Sequence, residues 1–476
     1  MTESTSLSAR TKSSPMPQPL VIINVVGLTY EHLGQHTPHL TALAKAGTAA
    51  PAGGVFPAVT CTAQASMLTG STATQHGIVG NGWYFRDTSE VRLWLQSNRL
   101  VQGTKLYEQL TSIDPGLTTA KMFWWYNMYA PVAFSMTPRP SYPADGRKIF
   151  DSYSHPTELR DDLQSKLGVF PLQSFWGPMA GIESSRWIAT ASIEVMKRYR
   201  PSLTLVYLPH LDYDLQRYGP HDPRIQIALR EVDLEAGRVI EAARESGAEI
   251  LVVSEYGITE VSKPVHINRV LREAGWLVAR REPLGYETLD CGASKAFAVS
   301  DHQVAHVYVR DASDIPRVKK LLEQTDGIER VLDEAGKVEL GIAHERAGEL
   351  VAIAAPQAWF TYYFWLDDHL APDYARTIDI HRKPGYDPTE LLLDPQLKFP
   401  KLRIVRRLLQ KKLGFRYYMD VIGLDASIVK GSHGRLATKG LEPAEGPVMI
   451  ASRPDIYSEN WSLLDVPRIA RSLMGL

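Results

Sequence analysis

The chain has 476 residues, of which 44% are hydrophobic and 22% charged, and its formal net charge is −1. That composition builds a sizeable core and suits one large domain with an insertion, or two domains. It leaves no overall field to attract nucleic acid or an anionic membrane, and no apolar run is long enough to span a bilayer. The only two cysteines, Cys61 and Cys291, are far apart, which argues against a disulfide framework and for a reducing compartment.

Residues 1–18 are polar, with scattered Ser and Pro. They lack the apolar run of a signal peptide, so a disordered tail and a cytoplasmic protein are expected. LVIINVVG (20–27) is an apolar, β-branched run ending at Gly27, the pattern of a buried parallel strand. TPHLTALAKAG predicts a helix closed by Gly47. VFPAVTCTAQASMLTG (55–70) predicts a strand end, a turn and a helix of small residues, with Thr60 and Cys61 at the bend.

MFWWYNMY (122–129) gathers five aromatics, expected in the core, with one or two able to stack on a base. YPADGRK (142–148) offers Arg147 and Lys148 to a phosphate or carboxylate. Further strands are expected at 203–210, 249–257, 305–310 and 348–355, and helices at 184–199 and 224–246. Strands alternating with helices predict an α/β fold, a mostly parallel sheet with helices on both faces. Residues 260–345 are less regular and are expected to form a smaller cap insertion. Residues 361–390 are aromatic, acidic and aperiodic, which in a compact domain points to function. KFPKLRIVRRLLQKKLGFR (398–416) is basic, with Leu402, Val405, Leu408, Leu409 and Leu413 near helical spacing. It suits either a solvated face packed on the domain or contact with an anionic membrane or acidic partner.

In such sheets ligands sit at the carboxyl ends of the strands. Four polar ends are expected to converge: Gly27, the Thr60 turn, His210–Asp214 and Ser254–Tyr256. Asp212 and Gln216 lie four apart, on one face of a helical turn. Glu255 and Tyr256 end another strand, and His433 sits between glycines in GSHGR. Asp, Glu, Gln and His can hold a divalent cation, or can equally cap helices and pair with arginines.

The succession FPAVT, HGIVGNGWY, LDYDLQRYGP, SEYG and GSHG resembles the alkaline-phosphatase superfamily, in its nucleotide pyrophosphatase/phosphodiesterase branch. The resemblance implies an alkaline-phosphatase-like domain over residues 19–476 and hydrolysis of a small phosphoester, without nucleic acid and without stable membrane insertion. It implies that Thr60 is the nucleophile and Asn81 a phosphoryl-oxygen holder. It also implies one or two divalent metals, zinc foremost, on Asp212, Gln216, Glu255, Tyr256 and His433. DIHRKPGYDP resembles a further stretch of the branch, bringing Asp379 and His381 toward substrate.

The pattern also departs from the family. Val26 stands where the first strand carries a carboxylate, Gln216 where a His is expected, and Glu255-Tyr256 replaces Asp-His. Valine binds no metal, and the site that should activate Thr60 is the one most changed. Three readings follow. One metal remains, with Asp301, His302, His306, Asp379 or His381 assisting. Alternatively, oxygen-rich ligands favour Mg²⁺, Mn²⁺ or Ca²⁺. In the third reading the fold binds a ligand, or acts as a scaffold, without hydrolysis.

Overall fold

A computed structural model describes residues 17–144, 147–436, 445–458 and 460–476. The expected N-terminal tail lies almost wholly outside the described residues; at its end, the Gln18 N–H donates to the Met474 carbonyl (3.0 Å). The central sheet has eight strands in the order 48–51, 448–451, 249–253, 20–25, 203–208, 119–122, 134–138, 152–155. The five from 249–253 to 134–138 run parallel, and the outer strands join antiparallel. Leu20–Val25 lies at the centre and is buried at every residue, as a strand covered on both faces must be.

Helix Ile225–Glu245 packs with Pro38–Ala46, Ile182–Tyr199 and His210–Tyr218. Thr60–Thr69 packs with Leu106–Ile113 and Val466–Met474 as a separate group. Gly27 follows the first strand at φ +80°, and a Cβ there would meet Leu215 Cδ1 at 2.8 Å, so only glycine fits this turn. No described helix is long and apolar enough to cross a membrane.

Two expected strands belong elsewhere. Val304–Val309 and Leu350–Ala354 join Ala296–Asp301 and Ile328–Leu332 in a separate, wholly antiparallel four-stranded sheet. Both are short apolar runs, and periodicity does not distinguish parallel from antiparallel pairing when both faces are covered. The segment before Thr60 is an irregular turn rather than a strand end. Between residues 361 and 390 there is no strand, only short 3-10 turns, yet Tyr362, Tyr363, Phe364 and Trp365 are fully buried. In the aromatic run, Trp124 is buried in the core and Trp125 faces a cavity.

Candidate active site

A cavity of about 1320 Å³ opens at the carboxyl ends of the central strands. Its walls include Thr60, Asp212, Tyr256, His302, Tyr386 and His433. Strand 203–208 feeds the helix carrying Asp212, and strand 249–253 ends just before Glu255 and Tyr256. Thr60 begins the helix Thr60–Thr69. His433 follows a two-residue strand that lies so close to the helix His210–Tyr218 that a Cβ on Gly431 would sit 2.1 Å from the Leu215 carbonyl. His302 arrives from the second sheet, at the tip of its first hairpin, with φ at +60°. A histidine held in that region stores strain, a recurrent feature of functional sites.

The side chains form a hydrogen-bonded chain. Thr60 Oγ1 lies 2.9 Å from the Tyr256 hydroxyl, which donates to Asp212 Oδ1 at 3.4 Å. With the phenol proton on Asp212, the one Thr60 hydroxyl proton has two acceptors within reach, the Tyr256 oxygen and the Glu255 carboxylate. Gln216 Nε2 donates to Asp212 Oδ2 (2.7 Å), and the Tyr386 hydroxyl donates to Gln216 Oε1 (3.0 Å). Rings pack around the chain: Tyr256 stacks on His433 (3.6 Å), and His302 lies between His433 (3.6 Å) and Tyr386 (3.7 Å).

Glu255 lies behind the wall, and its Oε1 accepts from Asn24 Nδ2 (2.6 Å) and Gln64 Nε2 (2.7 Å). Its Oε2 is buried without a hydrogen-bond partner. Gln64, Asn24 and Tyr386 were not singled out from the sequence. Gln64 lies four residues after Thr60, one helical turn along, and that spacing was the available signal.

Burial dominates the electrostatics. It pushes the Asp212 carboxyl up to about 7 against the Gln216 and Tyr256 hydrogen bonds. It pushes Glu255 up to about 8, opposed by donors from Gln64, Asn24 and Thr60. Burial lowers His433 to about 3. His433 Nδ1 lies 2.7 Å from the Ala58 carbonyl and must donate to it, leaving Nε2 as a bare acceptor, buried and unpartnered. Cys61 is fully buried and its thiol is pushed well up by burial, so beside Thr60 it is packing rather than nucleophile.

The other candidates divide by position. Asn81 comes beside Thr60, where its Oδ1 accepts from the Cys61 N–H (3.0 Å) and its Nδ2 donates to Asp301 (3.0 Å), bracing the turn. Asp301 is spent on Asn81, accepting its backbone N–H as well (2.7 Å). His306 is buried between the Val79 carbonyl and the Gly348 N–H, away from the cavity walls. Arg147, Lys148, Asp379 and His381 line the outer part of the cavity. Lys383 anchors that rim by ion pairs to Asp387 and Glu390, both at 2.6 Å.

The metal donors expected from the resemblance do not assemble. Among the described residues, no three His, Cys, Asp or Glu side chains group closely enough to hold a metal ion. Val26 is apolar and buried. One Glu255 oxygen accepts two amides, one Asp212 oxygen accepts Gln216, and burial holds the Tyr256 phenol protonated. What remains is a pair, Asp212 Oδ1 and His433 Nε2, 4.0 Å apart. A catalytic zinc takes three protein ligands, so these residues do not fit a resident zinc.

Comparison with known proteins bears on the fold and the family. Murine ectonucleotide pyrophosphatase/phosphodiesterase 5, as an inactive variant in complex with AMP, matches with 15% identity, 96% of this chain and 95% of that one, at TM-score 0.57. Phosphonoacetate hydrolase from Sinorhizobium meliloti 1021, in complex with phosphonoformate, matches with 14% identity, 99% of this chain and 100% of that one, at TM-score 0.60. Both show the fold. An uncharacterized pyrophosphatase/phosphodiesterase of Schizosaccharomyces pombe is 30% identical over 74 residues, which span 15% of this chain and 15% of that relative. Residues 20–387 match the family described as Type I phosphodiesterase / nucleotide pyrophosphatase, and the chain belongs to that hydrolase family.

Proposed function

We propose that this chain hydrolyses a small phosphoester in the cavity, with Thr60 as nucleophile and Asp212 as its base, acting through Tyr256. The observation that carries this reading is the continuous chain Thr60–Tyr256–Asp212, with the nucleophile at 2.9 Å from its first partner. A threonine hydroxyl is a weak nucleophile until a base takes its proton. Asp212, raised to about 7, is half ionised near neutral pH, where a general base works best.

In the first half-reaction Thr60 Oγ1 bonds to phosphorus and the ester bond to the leaving group breaks. The Thr60 proton passes to Tyr256, whose own proton goes to Asp212. Water then attacks phosphorus as the bond from phosphorus to Thr60 Oγ1 breaks, and the proton held on Asp212 returns through Tyr256 to Thr60, leaving Asp212 ionised and releasing the phosphate. The N-terminus of the helix Thr60–Thr69 favours an anion there, and Lys148 and Arg147 supply positive charge at the rim. The second sheet serves as the cap, bringing His302 to the cavity on its hairpin. The murine relative binds AMP and the Sinorhizobium relative phosphonoformate, which supports a small phosphoryl compound as the ligand class.

The changes at Val26 and Glu255 favour a second reading, binding without turnover. Activated aryl phosphomonoesters and phosphodiesters separate the two. The expected result is turnover that persists in a chelator and falls about 10³-fold or more in Thr60→Ala. No turnover on any ester would favour binding alone. Turnover abolished by chelation would restore a metal to the reaction.

A further inference from the structure

We propose that residues 398–416 dock this protein on an anionic lipid bilayer, with the mouth of the cavity turned to the lipid surface. The helix Pro400–Lys412 has no buried residue. Helices of globular domains turn their apolar stripe to the core; this one is inside out. Arg403 and Arg407 face inward, both paired with Asp420, Arg407 at 3.0 Å. Leu402, Val405 and Leu409, spaced by three and four residues, face outward at 66%, 60% and 53% exposure, and Leu413 continues the stripe at 64%. Phe399 and Phe415 extend it beyond both ends of the helix, and both are exposed.

Charge selects the occupant. The segment carries eight basic residues (Lys398, Lys401, Arg403, Arg406, Arg407, Lys411, Lys412 and Arg416) and no Asp or Glu. An acidic protein or a nucleic acid would be held by the charges and would leave the apolar stripe in water. A second copy of the helix would bring like charge against like. An anionic bilayer accepts both features, burying the stripe among acyl chains and the cations among headgroups. Leu408, Lys411, Phe415 and Arg416 also line the cavity, so docking by this segment sets the mouth at the lipid surface. The inference rests on this surface and holds whether or not Thr60 turns over an ester.

The test is co-sedimentation of the full chain with phosphatidylcholine vesicles, with and without about 30% phosphatidylserine, at low and high salt. Binding is expected only with phosphatidylserine, and it should fall about tenfold at high salt as the charges are screened. Val405→Asp with Leu409→Asp should abolish binding, and Lys401→Glu with Arg406→Glu should cut it about tenfold. These side chains are outside the reacting chain, so both variants should keep the wild-type circular dichroism and ester turnover. Three results would overturn the proposal: no binding to phosphatidylserine vesicles, equal binding by the Asp variant, or self-association that the same Asp substitutions abolish in a protein that ignores vesicles.

Discussion

Two carboxylates flank Thr60, and the difference between them locates the reaction. Asp212 and Glu255 each stand just past a central parallel strand, and both are buried. Asp212 lies on the cavity wall and connects to Thr60 through one phenol. Glu255 lies behind the wall, held by the amides of Asn24 and Gln64. Burial raises both, to about 7 and about 8, so below pH 8 Glu255 is mainly a neutral acid while Asp212 is already ionising. Both acids are within reach of Thr60, so what sets Asp212 apart is its place on the cavity wall and a protonation state matched to neutral pH.

The sharpest way to break this contrast is to neutralise each acid in turn. Asp212→Asn removes the base and should lower kcat/KM by about 10²–10⁴-fold. Glu255→Gln can keep an acceptor for Asn24 and Gln64 and should cost less than about threefold, since a neutral group replaces a neutral one. The wild-type kcat/KM should rise with pH as Asp212 loses its proton, with its midpoint at about 7. A midpoint at about 8, abolished in Glu255→Gln, would transfer the role to Glu255.

Tyr256→Phe tests the wire itself. Phenylalanine keeps the ring stacked on His433 and deletes only the hydroxyl between Thr60 and Asp212. A loss of about 10–100-fold in kcat, with KM little changed, is expected for a relay that water replaces imperfectly. Wild-type kcat in this variant would remove Tyr256 from the reaction.

How much of this was legible in the sequence depends on the type of contact. The central strand was readable because a β-branched run such as LVIINV favours a strand buried on both faces, and its alternation with helices pointed to parallel pairing. The convergence of Thr60, Asp212 and Tyr256 was expected from strand ends, whereas His433 was marked by its flanking glycines and by the resemblance. The second sheet was misplaced because Val304–Val309 and Leu350–Ala354 have the same composition as parallel strands, and only their partners differ. The Glu255 cradle depends on Asn24, inside a strand, and on Gln64, inside a helix. Their roles come from packing across 231 and 191 residues of sequence, which no local pattern encodes. The expected metal ligands came from the resemblance, by position in its motifs. The structure instead pairs those residues with each other and with amides, because a buried acid must find donors wherever the fold supplies them.

Stability gives the smallest and most specific reading of the contrast. Glu255 has a folded pKa of about 8, above its ordinary value of 4.5. Between those values the folded chain keeps this proton while the unfolded chain releases it. The contribution of Glu255 is therefore full below pH 4.5, declines as pH rises, and is lost by about pH 8. Glutamine does not titrate, so subtracting the wild-type unfolding free energy from that of Glu255→Gln cancels the other groups. That difference should move in favour of the variant from pH 5 to pH 8, by at most about 1.4 kcal/mol per pH unit, and level off above. A flat difference would mean that Glu255 is ionised in the fold at neutral pH. It would then be a second available base beside Thr60, and only the place of Asp212 on the cavity wall would separate the two acids.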